Sequence, residues 1–527
     1  MSALQPDDTL VTAERAPEAQ RRAWAGLWVL AAALAMIVLD GTIVGVALPA
    51  IITDLHLDLT DAQWVNSLYS VVFAALLLTA GRLGDRWGRR RLLLAGVTVF
   101  VLGSMLAASA GDAAALLSAR ALQGVGGAMV LPSTLSTVNA TFRGRDRAAA
   151  FGIWGAVMSG AAALGPLLGG FLTQVSNWPL VFWINVPIGL AVAVATMLLV
   201  DETRGTKAAG IGVDVPGPLL SAAGLALIVF GLIESSSLGW WTPTGSLALF
   251  GPAWPAAAPV SPVPVALAVG VVLLAAFLVV ESRRQRSGRT TVLDLRLFTL
   301  PTFSFGNTTA LLVAVGEFAL LFVLPLFLVT SLGLSMLSAG LVLASMATGA
   351  FLSGAVARHL AARFGPTRVV VLGLALEVVG ATAAALVTTA SGPGWAVAAA
   401  LLPYGLGLGL ASAQLTSTTL RDVPPSQSGT GSATQSTVRQ LGAALGSAVA
   451  GTTLAAALTT HQTPTALADP TAFPAASASA LWVAVAILAI ATLTAWALDH
   501  TSRRQPETAP QITPPAIQEK SCSPQPS

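Results

Sequence analysis

GRLGDRWGRRR, residues 81–91, sets five arginines and one aspartate between two apolar runs, 64–80 and 92–111. A weaker copy, RHLAARFGPTR, occupies 358–368, again between apolar runs. Aligned, Leu83 meets Leu360, Arg86 meets Arg363, Trp87 meets Phe364, Gly88 meets Gly365 and Arg91 meets Arg368, while Asp85 becomes Ala362. Two matching charged loops in two halves of a hydrophobic chain are the layout of a duplicated secondary transporter.

The composition around these loops agrees. The 527 residues are 54% hydrophobic and 10% charged, with a mean hydropathy of +0.76. Soluble domains carry about 25% charged residues, so too little polar surface exists here to cover a water-soluble body. A membrane helix needs about 20 mostly apolar residues. Fourteen such runs are expected, near 25–50, 64–80, 92–111, 113–137, 148–172, 180–200, 215–234, 263–281, 304–330, 337–357, 368–390, 395–419, 430–456 and 478–498. The fold class is therefore an all-α polytopic membrane protein. It is divided into a tail (1–24), a six-helix bundle (25–200), two extra helices with a linker (201–300), a second six-helix bundle (301–500) and a Pro-rich disordered tail (501–527). The first apolar run is too long for a signal-peptide core and reads as a retained anchor.

Charge tests the count. All but two of the 27 basic residues fall at the termini and in alternate connections. The opposite connections hold no Lys or Arg, but do hold Asp54, Asp58, Asp61, Asp112 and Asp469. Cytoplasmic loops carry the excess of Lys and Arg, so both termini are expected inside the bacterial plasma membrane. The longest external connection, about 235–262, carries tryptophans and reads as an interface-anchored loop or a vestibule lid.

Several function classes drop out. Cysteine appears once, at Cys522, and the four histidines lie far apart, which leaves no disulfide and no metal-ligand spacing. The lysines are Lys207 and Lys520 alone, and no glycine-rich phosphate loop ends in Lys-Ser or Lys-Thr. No nucleophile–base pair suggests an enzyme. No cofactor, ATP or nucleic acid is expected; the partners are a small amphiphilic molecule, protons and the bilayer, and a monomer is expected.

Five charges lie inside the expected helices: Asp40, Arg120, Glu317, Glu377 and Arg439. Asp40 stands in the middle of MIVLDGTIVGVALP (36–49), and such a placement costs roughly 2.5–3.5 kcal/mol on insertion scales. Buried charges of this kind pair with one another or handle protons and substrate. Asp40 and Arg120 fit either a static pair or an aspartate that titrates when substrate arrives. The sequence leaves open whether they touch. Glu317 is a candidate second acid. Glu377, Arg439, Gln123, Asn185 and Gln414 are candidate cavity residues, each with a plainer role in joining helices. Pro49, Pro132, Pro187, Pro325 and Pro403 fall in or at the ends of spans, where bends are tolerated.

Six motifs in order carry a resemblance: LDGTIVGVALP (39–49), GRLGDRWGRRR (81–91), LSARALQGVGGA (117–128), GPLLGG (165–170), INVPIG (184–189) and RQLGAALG (439–446). Together they resemble the major facilitator superfamily, in its fourteen-helix drug:proton antiporter branch. Gly45 replaces an asparagine usual there, and Trp178-Pro179-Leu180 replaces Trp-Arg-Trp. The resemblance implies two six-helix bundles around a central cavity, plus two extra central helices, and proton-coupled efflux of amphiphilic drugs, antibiotics or a natural product. An uptake symporter of the same fold is the alternative. It also implies a proton-coupling set of Asp40, Arg120 and Glu317. Gly81, Gly84, Asp85, Arg86, Gly88 and Arg89 would form a cytoplasmic gating loop, where the plainer reading is a charge cluster that sets topology. Gly160, Gly165, Pro166, Gly169 and Gly170 would form an antiporter motif that seals and pivots, where the plainer reading is helix packing.

Overall fold

The structure, a computed structural model, describes residues 17–204, 214, 216–244, 247–248, 253–255, 258–289, 291, 293–388, 392–424, 427–459 and 472–504. Of the two tails, 1–16 and 505–527 lie outside the described residues, with Cys522, as does Asp469. The first half comprises α1 (Pro17–Leu55), α2 (Leu59–Trp87), α3 (Arg89–Ala108), α4 (Ala113–Thr141), α5 (Gly144–Val175), and the short α6 (Leu180–Trp183) running into α7 (Asn185–Leu199). Next come α8 (Pro216–Leu238) and α9 (Pro262–Arg286), with a two-residue hairpin, Leu247–Ala248 against Ala253–Trp254, between them. A 3-10 turn, Leu295–Thr299, leads into α10 (Pro301–Thr330), α11 (Met336–Phe364), α12 (Pro366–Val387), α13 (Gly394–Thr419), α14 (Ser428–Thr459) and α15 (Ala472–Arg504).

Thirteen spans among the described residues are long and apolar enough to cross a membrane, with α6 and α7 making one of them. The fourteenth, α5, shows a shorter apolar part, Gly160–Val175. Helices overrun the expected spans, α1 back to Pro17 and α14 back to Ser428, because hydropathy marks only the part that sits in hydrocarbon.

The duplicated loops fold alike. Gly88 alone joins α2 to α3 at φ +115°, and Gly365 alone joins α11 to α12 at φ +89°. Positive φ strains any residue with a Cβ, which accounts for glycine at both. The spacing that carries Gly88 onto Gly365 also carries Gly96 onto Gly373 and Gly103 onto Gly380. Gly96 packs against Gly126 and Gly373 against Gly407; Gly103 packs against Gln123 and Gly380 against Tyr404. Such small-residue contacts bring membrane helices close without a polar driving force.

Acids at the arginine-poor end have structural work. Asp58 caps α2 in a reciprocal box with Asp61, and Asp112 caps α4 by accepting from Ala115 N at 2.8 Å. A carboxylate at a helix N-terminus also meets the positive end of the dipole. Asp54 accepts from Trp178 Nε1 at 2.6 Å.

Two seams join the halves, α5 against α11 and α2 against α14. At the arginine-poor end one apolar cluster crosses both halves, with Ile51, Leu57, Trp178, Phe327, Leu458 and Phe473 in it. At the arginine-rich end the clusters stay within single halves: Leu27, Leu93 and Phe142 in the first, Val370, Leu415 and Ala495 in the second. The α8–α9 pair lies on the α2/α14 seam. Trp64 Nε1 donates to Glu234 at 2.8 Å and Thr452 Oγ1 donates to the Leu232 carbonyl at 2.7 Å.

Candidate functional site

In the first half, five helices converge on Asp40. Arg120 of α4 donates to Asp40 Oδ2 at 2.6 Å. Gln123, one turn on, and Asn185, at the start of α7, each donate to Asp40 Oδ1 at 2.9 Å. Ser104 of α3 ties the two amides together, accepting from Gln123 at 2.8 Å and Asn185 at 3.2 Å. Arg120 also donates to Gln123 Oε1 at 2.8 Å and to the Val65 carbonyl of α2 at 3.2 Å, and its guanidinium lies 4.3 Å from the Tyr69 ring centre. Asp40 is 0% exposed and Arg120 1%. All three partners of the carboxyl are donors, the set an ionised, acceptor-only carboxylate requires. A buried ion pair is tolerable when its remaining hydrogen bonds are made, and here they are.

The second half holds a looser centre. Arg439 of α14 donates to Glu317 of α10 at 3.4 Å. The Glu317 side chain is 9% exposed and that of Arg439 40%. Glu377 of α12 lies within electrostatic reach of both, is 0% exposed, and neither of its oxygens meets a hydrogen-bond donor among the described residues. Its Cγ sits opposite Gly407 of α13. The Tyr404 hydroxyl, also buried, has no partner among the described residues either. The spacing that superposes the loops carries Asp40 onto Glu317, so the two acids stand at equivalent places on the first helix of each half.

The halves leave a small cavity of about 20 Å³ between them. Gly41, Thr42 and Asn66 line it from the first half; Phe318, Phe322 and Ser447 line it from the second. Gly41 is the neighbour of Asp40, and Phe318 of Glu317. A Cβ on Gly41 would meet nothing within 4 Å.

The loop residues form a local lock. Asp85, in the last turn of α2, accepts from Arg89 Nη2 at 2.8 Å and Nε at 3.2 Å; Arg89 also donates to the Ser136 carbonyl of α4 at 2.9 Å. Glu202, beyond α7, accepts from Arg90 N at 3.1 Å and lies 3.8 Å from Arg91. Arg86 is exposed, Gly84 is buried against Leu92, and Gly81 packs on Pro132.

On α5, Gly169 packs on the Ile43 backbone of α1 and Gly165 on the Thr42 side chain. Gly170 and Pro166 meet Met336 and Gly340 of α11. The helix thus touches its own half on one side and the other half on the opposite side. Gly160 meets nothing within 4 Å of where its Cβ would be.

Gln123 and Asn185, candidates for the cavity, are committed to Asp40 instead. Glu377 is sealed between α12 and α13, and Gln414 is half-buried on α13. Sequence reasoning did not single out Ser104, Tyr69 or Tyr404. A signal existed, for the chain has two tyrosines and each stands beside a buried charge. It also missed an acid pair at the arginine-rich end. Buried Glu281 accepts from Leu293 N at 3.0 Å, and Asp214 pairs with Arg284 at 3.4 Å. Among the described residues no group of three His, Cys, Asp or Glu side chains is placed to hold a metal ion.

Comparison with known proteins follows the same lines. The Major Facilitator Superfamily profile matches residues 30–447. The chain is 35% identical to the probable actinorhodin transporter of Streptomyces coelicolor, covering 86% of this chain and 76% of that one. It is 36% identical to the multidrug efflux pump LfrA of Mycolicibacterium smegmatis, covering 82% and 81%. Against the puromycin resistance protein of Streptomyces alboniger it is 33% identical over 98% and 99%. Among solved structures, an auto-inhibited peptide transporter of the POT family aligns with a TM-score of 0.64 at 16% identity, covering 94% and 99%. An inward-facing bacterial homologue of the lysosomal transporter Spinster aligns at 0.61 and 18%, covering 92% and 99%.

Proposed function

This chain belongs to the Major Facilitator Superfamily, and from its relatives we infer that it is an efflux transporter of small-molecule antibiotics or drugs. We propose further that efflux is driven by protons, through Asp40 with Arg120 in the first half and Glu317 with Arg439 in the second. The observation that supports this reading is the pair of equivalent acids, each held by an arginine, at the same point of the first helix of each half.

The arginine-rich end is the cytoplasmic one, in the plasma membrane of a bacterium, and the chain works as a monomer. The apolar cluster that crosses the halves at the other end supports an inward-open conformation. Substrate enters between the halves from the cytoplasm. Both acids have released their protons to the cytoplasm and stand as carboxylates paired with their arginines. The substrate-loaded halves rock, the outer end opens, and substrate leaves. A proton from outside then loads each acid, releases its arginine and permits the return. Moving one charge inward supplies about 2.3 kcal/mol per 100 mV, and one pH unit adds about 1.4 kcal/mol, so two protons support a steep substrate gradient.

The test is inverted vesicles with a panel of amphiphilic antibiotics that includes puromycin. Wild type should accumulate at least one compound when acidified inside, and a protonophore should stop it. Asp40→Asn should be present in the membrane yet fail to release protons on substrate addition. Accumulation that ignores the protonophore would refute proton coupling.

A further inference from the structure

Duplication makes the two seams counterparts. The spacing that carries Gly88 onto Gly365 carries Gln63 onto Gly340, and the spacing that carries Gln123 onto Tyr404 carries Gly170 onto Gly451 and Gln174 onto Ala455. Each seam therefore receives one glutamine at the arginine-poor end, from opposite strands of the pairing. In the α5/α11 seam Gln174 Oε1 accepts from Leu337 N at 3.0 Å. The backbones there approach closely: a Cβ on Gly340 would come to 2.6 Å from the Pro166 carbonyl. In the α2/α14 seam Gln63 is 0% exposed and presses its side chain on Gly451 of the other half. Neither its Nε2 nor its Oε1 meets a hydrogen-bond partner among the described residues. One turn along, Ser67 and Ser447 hydroxyls bond at 2.7 Å, so the seam is polar but incompletely satisfied.

We propose that Gln63 destabilises the sealed α2/α14 seam and thereby sets how readily the arginine-poor end opens, with this seam parting ahead of the α5/α11 seam. A buried amide with no partner forfeits the hydrogen bonds it makes in water. Parting α2 from α14 returns those bonds to Gln63. Parting α5 from α11 exchanges the exposed Gln174 bond for one to water, with little net gain, and breaks a close backbone fit. An unmade pair of this kind shifts an equilibrium by roughly five- to hundredfold. The inference rests on the alternate opening of the two ends in the proposed function, but its readout needs no substrate.

Spin labels at Thr60→Cys and Ala455→Cys report the α2/α14 seam, and labels at Val175→Cys and Leu334→Cys the α5/α11 seam, each in a Cys522→Ser background. Electron–electron distance distributions in proteoliposomes give the ratio of parted to sealed molecules. Gln63→Leu should lower that ratio at the first pair at least fivefold and leave thermal stability equal or higher. Gln63→Met should do the same, which separates the lost amide from a packing fault of leucine. Gln174→Leu should act oppositely and raise parting at the second pair. An unchanged or raised ratio in both Gln63 variants, or parted molecules appearing first at the second pair in wild type, would overturn the proposal. Absence of efflux from the labelled wild type would count against the transport reading and leave the distance test standing.

Discussion

The two halves place an acid at the same point of the same helix and treat it differently. Asp40 sits in a cage of three donors closed on every side. Glu317 has one long contact with an arginine that is two-fifths exposed. The difference lies in the helices behind. Ser104 corresponds to Ala381, and Gln123, packed on Gly103, corresponds to Tyr404, packed on Gly380. The second half therefore lacks the amide and hydroxyl that complete the first cage, and draws its cation from α14 rather than from the helix equivalent to α4. One backbone plan thus supports a tight charge lock and a loose one, and side chains one helix away decide which.

The strongest way to break this comparison is to open the cage. Arg120→Ala leaves Asp40 charged and unpaired in a dry site, which should cost about 3–5 kcal/mol. Thermal unfolding in detergent should show it, together with loss of efflux; a near wild-type melting temperature would mean that the cage is not a lock. Gln123→Leu removes one donor from Asp40 and should cost about 1–3 kcal/mol. Tyr404→Phe, at the equivalent place, removes a hydroxyl that makes no bond among the described residues and should be close to neutral. Equal losses from the two would erase the asymmetry.

The linking glycines sharpen the contrast in another place. Gly88→Ala and Gly365→Ala both force a Cβ into backbone that costs about 1–3 kcal/mol. Gly88→Ala should be the worse, because its Cβ would come 2.5 Å from Glu202 while nothing stands within 4 Å at Gly365. Small in stability too is Glu317→Gln. An exposed arginine makes the pair worth about 1 kcal/mol or less, so the protein should melt as wild type. Proton release per substrate should nevertheless fall, measured in lightly buffered proteoliposomes. A full proton count in this variant would remove Glu317 from coupling.

Much of the architecture was legible because membranes impose simple rules. The length of apolar runs, the alternation of arginines and the repeated loop each depend on local composition. Gly88 and Gly365 align in the repeated loop, and their shared positive φ is the reason. The equivalence of Asp40 and Glu317 was present in the same alignment, one further subtraction away. The candidate site was only half legible. Polar residues in apolar runs were easy to find, but a spare amide looks the same whether it faces substrate, like the expectation for Gln123 and Asn185, or an aspartate, as it does.

By itself the sequence determined that this is a helical membrane chain built twice over, with arginines gathered at one end and acids placed in the hydrocarbon, because the cost of charge in lipid constrains every residue locally. Only the tertiary structure decided that Asp40 is caged while Glu317 is loosely held, and that Gln174 bonds Leu337 N while Gln63 is buried with no partner among the described residues. Those outcomes depend on which side chain a neighbouring helix brings within about 3 Å, the reach of a hydrogen bond. That distance is set by packing among residues far apart in the chain, and no local pattern encodes it.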